Sequence, residues 1–182
     1  MACIGGRRGG WSGCLLTTMW ATVASCLLLQ AGCSMPSRPE LPVPVEISLA
    51  ASEHVNPTEQ GRPSPVVLRV YELSGRDFFQ SADFFELLGG RDRAKDAEVI
   101  AVHEFVMMPG ELRVLRRRTE LGTRFLGVAV GYRDTQGSIW RALAAVPAPY
   151  RAGRLWSAET SPERKYRIVV GEKAVVINAA DS

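Results

Sequence analysis

Cysteine is almost missing from the working part of this 182-residue chain. The four cysteines are Cys3, Cys14, Cys26 and Cys33, and no thiol follows Cys33. Whatever folds beyond that point has no disulfide and no Cys metal site, and must hold together by packing. Histidine is nearly as scarce, with only His54 and His103. There is no Gly-x-Ser-x-Gly elbow, no His-Glu-x-x-His and no Gly-rich phosphate loop after a strand, so the motif-bearing hydrolase, zinc-peptidase and nucleotide-binding classes lose their support. An excess of one charge is also lacking. The formal net charge is +3, and cutting before Cys33 removes Arg7 and Arg8 and lowers it by two, to +1. That balance argues against a nucleic-acid partner, which wants a basic stripe. No metal, no cofactor and no enzymatic activity is expected.

What the chain does have begins with an address. Arg7 and Arg8 form a positive region, Leu15 to Leu29 an apolar one, and Leu27-Leu28-Leu29-Gln30-Ala31-Gly32-Cys33-Ser34 closes it on small residues and a cysteine. The apolar region is short of the roughly 20 residues that a membrane span needs. The pattern is that of a bacterial lipoprotein signal at residues 1–32, with Cys33 as the lipidated first residue of the mature chain. An uncleaved anchor or an ordinary signal peptide is the alternative. Ser34, in the second mature position, is the residue type that lets such lipoproteins pass to the outer membrane. Residues 33–44 carry prolines at 36, 39, 42 and 44 and read as an extended tether.

The folded domain is expected over 45–182. Val45, Ile47 and Leu49 alternate with polar or small residues at the period of a half-buried strand. Ser52 to Pro65 is a loop by its Asn-Pro, Gln-Gly and further prolines, and Val66 to Leu73 is a second strand. Phe78, Phe79, Phe84, Phe85, Leu87 and Leu88 then fall at helical spacing, with Asp83 and Glu86 placed as a capping box and a polar helical turn over Arg91 to Glu98. The six apolar side chains read as core rather than as a docking patch. Strands follow at Val99–Met107, Glu111–Arg117, Phe125–Tyr132, Ser138–Val146, Tyr166–Val170 and Ala174–Asn178. The glycines on one face of Phe125–Tyr132 predict something packed close to the backbone. Seven or eight short strands and one helical insertion give a mainly β fold, an antiparallel β-sandwich. His103 reads as a structural histidine within its strand, and Arg116-Arg117-Arg118 as a solvated hairpin end that an acidic partner could use.

Asn56-Pro57, Gly61-Arg62-Pro63-Ser64-Pro65-Val66-Val67, Arg69-Val70-Tyr71-Glu72-Leu73, Ala82-Asp83-Phe84-Phe85, Pro109-Gly110-Glu111 and Trp140-Arg141 together carry a resemblance. In order and spacing they resemble the TssJ family, also called VasD-like or SciN-like, outer-membrane lipoproteins of bacterial type VI secretion. The resemblance implies a transthyretin-like β-sandwich with a helical insertion. It also implies a non-enzymatic anchor on the periplasmic face of the outer membrane that holds the periplasmic domain of the inner-membrane subunit TssM, with TssL in the same complex. In that family the loop between the first two strands makes the contact. Here its candidate residues are Glu53, His54, Val55, Asn56, Glu59, Gln60, Gly61 and Arg62. The second reading is an envelope lipoprotein of the same fold that binds or hydrolyses a small ligand. A deep polar pocket holding His103 would favour the second reading, and a filled core with an exposed first loop the first.

Overall fold

Alternation of apolar and polar residues produces two sheets. The computed structural model describes residues 42–89, 96–147 and 163–180, all within one compact unit, Pro39–Ser182. The leader, Cys33, most of the tether, most of the polar turn expected after Leu88 and the segment 148–162 lie outside the described residues. The strands are β1 (Pro44–Ala51), β2 (Val66–Leu73), β3 (Val99–Met107), β4 (Leu112–Arg118), β5 (Phe125–Val130), β6 (Arg141–Ala145), β7 (Arg164–Val170) and β8 (Val175–Ala180). Two short helices, α1 (Asp77–Ser81) and α2 (Phe84–Leu88), form the insertion between β2 and β3. Sheet A has the order β4-β1-β7-β8, and sheet B the order β3-β2-β5-β6.

All pairings within the two sheets are antiparallel except β1 with β7, which run parallel. That pair joins strands far apart in sequence, so no local turn constrains its direction. The two sheets are stitched along one side, where Ile139 bridges Ala174: the Ile139 amide donates to the Lys173 carbonyl at 2.9 Å and the Val175 amide to the Ile139 carbonyl at 2.9 Å. On the opposite side β3 and β4 end their respective sheets.

Between the sheets, Val45, Ile47, Leu49, Leu68, Val70, Leu126, Val128 and Ile168 form the core. Burial of such side chains stabilises by about 1.5–3 kcal/mol each, which is the source of cohesion in a domain without disulfides. A second cluster lies on the outer face of sheet B, where Tyr71, Leu73 and Ala129 meet Phe79, Ala82 and Leu87 of the helical insertion. Central strands β2 and β5 are therefore covered on both faces, whereas β1 alternates regularly between buried and half-buried residues. The expected close approach to the glycine-rich strand is Phe79: a Cβ on Gly127 would lie 2.7 Å from its ring.

The insertion is held by local chemistry that its sequence announced and by contacts that it did not. Asp83 and Glu86 form the reciprocal capping box. The last carbonyls of such short helices lack intrahelical donors. Two arginines of sheet B supply them: Arg69 donates to the Leu87 carbonyl at 2.7 Å, and Arg141 to the Ala82 carbonyl at 2.7 Å and the Phe79 carbonyl at 3.2 Å. Tyr71 also donates its hydroxyl to the Leu87 carbonyl. Of the six apolar residues expected as core, Phe79 and Leu87 are buried, while Phe85 is 65% exposed.

Strand directions divide the sandwich into two poles. At one, the chain enters through Val43, whose carbonyl accepts from the Thr119 amide at 2.9 Å, and β1, β3, β5 and β7 all start there. At the other lie the segments 52–65, 108–111, 131–140 and 171–174. The first is the entering pole and the second the far pole. They are separated by the eight residues of β1, about 26 Å of strand.

Candidate functional site

The loop Ser52–Pro65 is built around one residue, Asn56. It is 5% exposed and takes a left-handed backbone with φ 49°, a conformation asparagine tolerates better than most residues. Its side chain bonds two segments: Nδ2 donates to the Pro65 carbonyl at 2.9 Å, and Oδ1 accepts from the Arg133 amide at 2.8 Å. Its amide donates to the Glu172 carbonyl at 3.1 Å, and its carbonyl accepts from the Ser64 hydroxyl at 2.5 Å. Beside it, Val55 is fully buried. The loop is thus closed on itself and fastened to the turns after β5 and β7.

The tip is a smaller closed turn. The Thr58 amide donates to the Arg62 carbonyl at 2.8 Å, the Gly61 amide to the Thr58 carbonyl at 2.9 Å, and the Arg62 amide to Thr58 Oγ1 at 3.2 Å. Gly61 takes φ 75°, which requires glycine. This geometry leaves Glu59, Gln60, Gly61 and Arg62 exposed on a support with satisfied backbone. Glu53 and His54 are exposed on the other flank, next to the hairpin turn between β3 and β4, where the Gly110 amide donates to the Ser52 carbonyl at 3.1 Å.

A groove of about 640 Å³ runs beside the tip, with Pro57, Glu59, Gln60, Arg133, Glu172 and Lys173 among its walls. Its electrostatics are mixed. Lys173 reaches Asp134 at 3.1 Å, and the Asp134 carboxylate is held below its usual range first by the Gly137 amide and then by Lys173. Tyr132, at its floor, donates its hydroxyl to the Gly171 carbonyl at 3.2 Å, and burial pushes its pKa upward. At the neighbouring hairpin, the Met108 amide and Arg113 hold the Glu111 carboxylate low. Paired polar groups around a rigid tip suit recognition of a complementary surface.

Of the eight residues expected at a partner contact, the structure brings six to the surface and takes two inside. Val55 and Asn56 are the corrections: a buried valine offers no apolar rim, and the Asn56 amide group spends both ends inside the fold. They position the loop. Arg133, Glu172 and Lys173 join the site from the turns after β5 and β7, far away in sequence, with no local signal to find them. His103 is absent from the groove. It sits on β3 with Nε2 at 2.5 Å from Arg117 and 3.3 Å from the buried Glu72 carboxylate. Glu72 also accepts from the Glu120 amide at 2.6 Å and the Thr123 hydroxyl at 2.9 Å, so this cluster ties β2 and β3 to β4 and to the connection that follows it. A deep polar pocket around His103 would have favoured the small-ligand reading; at that position the structure has ion pairing at a sheet edge, with Arg117 3.1 Å from Glu72.

Comparison with known proteins follows the same lines. A family profile described as "Type VI secretion lipoprotein, VasD, EvfM, TssJ, VC_A0113" matches residues 43–172. The chain is similar to the type VI secretion lipoprotein TssJ1 from Pseudomonas aeruginosa, with 30% identity and a TM-score of 0.67 over 78% of this chain and 99% of that one. It is also similar in fold to Serratia marcescens Lip, described as a membrane-bound component of the type VI secretion system, with 24% identity and a TM-score of 0.64 over 78% and 99% of the two chains. A structure described as the TssM C-terminal domain (869–1107) from EAEC shares the fold at 20% identity, with a TM-score of 0.56 over 76% of this chain and 98% of that one. A search of curated proteins found no match.

Proposed function

This chain belongs to the type VI secretion lipoprotein family and is a membrane-anchored structural component of that system's membrane complex; on that premise we propose that it is held at the periplasmic face of the outer membrane by a lipid on Cys33 and grips the periplasmic domain of TssM with the loop Ser52–Pro65. Residues 1–32 are then the signal, 33–44 the tether and 45–182 the binding domain. TssL belongs to the same complex, and the domain works by contact rather than catalysis.

The observation that carries this reading is the construction of the loop. Asn56 and Val55 fasten it from inside, while Glu53, His54, Glu59, Gln60, Gly61 and Arg62 stand exposed. A contact surface that is ordered before binding loses less conformational freedom on association. The loop also lies at the far pole, away from the end where the chain arrives from Cys33, so the anchor and the contact do not compete for space.

The test is affinity. The mature chain, in detergent, is titrated with the periplasmic domain of the TssM encoded beside it, with and without replacement of Glu59-Gln60-Gly61-Arg62 by Gly/Ser. Saturable binding that weakens by about tenfold or more in the variant, with circular dichroism unchanged, is the expected result. Equal affinity in both proteins would move the contact off the loop, and no binding to the native chain would remove TssM as the partner.

A further inference from the structure

The outer face of sheet A carries a charge pattern that the loop does not use. Register places Arg116 beside Glu46, Glu46 beside Lys165, and Lys165 beside Ala180 in one row across the four strands. The next row toward the far pole is Val114, Ser48, Arg167 and Asn178, and the last is Leu112, Ala50, Val169 and Val176. Arg118 stands against Pro44 at the entering pole. Arg116, Arg118, Lys165 and Arg167 are all exposed. The only carboxylate among these outward positions is Glu46, which pairs with Arg116 at 2.7 Å. The face is therefore strongly basic in a mature chain whose total is only +1, and its cations crowd the end where the chain enters from Cys33.

We infer that the basic half of sheet A rests against an anionic phospholipid leaflet. The inference depends on Cys33 being lipidated. Nine residues lie between Cys33 and Val43, so the tether spans at most roughly 33–36 Å at full extension. Arg167 lies only three residues along β7 from Arg164, the partner of Val45, or about 10 Å from the point of entry. A lipid in the bilayer thus holds these cations within reach of its surface, where each gains from the negative headgroup potential and the gain disappears with salt. A lipid chain and a basic patch are the two signals that together make membrane attachment durable. Docked this way, the domain leaves the far pole free.

Because the mature domain has no cysteine besides Cys33, an Asn178→Cys variant places a single environment-sensitive fluorophore on the face. The full chain is expressed, purified from membranes and reconstituted into vesicles containing brominated lipid, either all phosphatidylethanolamine or with about a quarter phosphatidylglycerol. Flotation with both kinds of vesicle reports the lipid anchor, and quenching of the fluorophore reports the face. Quenching about twofold or more stronger in anionic vesicles is expected, abolished in about 1 M salt, where charges are screened beyond about 3 Å. Lys165→Glu with Arg167→Glu should lose it, while Arg62→Glu at the far pole should not. Quenching that ignores lipid charge and the double variant overturns the inference. So does unchanged quenching in a double variant that has lost capture of TssM, which would assign the face to an acidic protein. Failure to float at all counts against lipidation alone; adding the same vesicles to a soluble mature chain carrying Cys33→Ser with Asn178→Cys, which keeps the label single, then decides the face by the same charge dependence.

Discussion

Asn56 concentrates more of the loop's geometry than any other residue. Its side chain bonds two segments, and its backbone occupies a region most residues avoid. Asn56→Ala leaves the Pro65 carbonyl and Arg133 amide unsatisfied and keeps a β-carbon at φ 49° without the polar side chain that makes asparagine tolerant of that region, so we expect a loss of about 2–4 kcal/mol. Asn56→Gly relieves the backbone and should cost about 1 kcal/mol less. Urea denaturation of the two variants separates the terms. In either variant, partner affinity should fall even where most molecules remain folded, because the tip loses its fastening. The same residue shows where sequence reading stops. Asn-Pro announces a turn, but neither burial nor the Arg133 contact is encoded nearby, so Asn56 and Val55 read as surface when they are supports.

Among the elements, the contact of α1 with β5 is the sharpest. Phe79 of α1 lies over Gly127 with no room for a methyl group, and Tyr71 meets the same ring at 5.3 Å. Gly127→Ala should cost about 1–3 kcal/mol through overpacking. Combining it with Phe79→Leu should recover part of that loss, and a double-mutant cycle by thermal or urea unfolding measures the coupling. This contact was legible from the glycines on one face of the strand, as the capping box was from Asp83 and Glu86, because both signals are local. β2 was also found at its observed ends, marked by prolines before it and alternation within it. Arg69 and Glu72 gave no signal of their burial, since charged residues in a strand usually face water; here the helix-end carbonyl of Leu87 and the amide of Glu120 draw them inside. The parallel pairing of β1 with β7 had no signal either, because it depends on where a long connection returns.

For the molecule as a whole, buried tyrosines set the alkaline limit. Tyr71, Tyr132 and Tyr166 have pKa values raised above the ordinary 10.0, each first by burial. A raised folded value means that their contribution is intact below pH 10 and is lost as pH climbs through the folded range. Stability should therefore fall steeply above about pH 10. Tyrosinate absorbance from these three side chains should rise together with loss of circular dichroism rather than before it. Early, full ionisation in a folded protein would contradict their burial. The path of the chain through the two poles has a mechanical meaning as well. A pull between a lipid on Cys33 and a partner at Ser52–Pro65, as proposed above, would enter and leave the domain at the two ends of β1. That strand is already extended and lies between β4 and β7, with hydrogen bonds on both flanks. Tension would pass along its covalent backbone, and the flanking bonds would hold the other strands in register without carrying the load. The domain would hang on one strand like a bead on a taut line, so traction across the envelope would leave its fold unloaded.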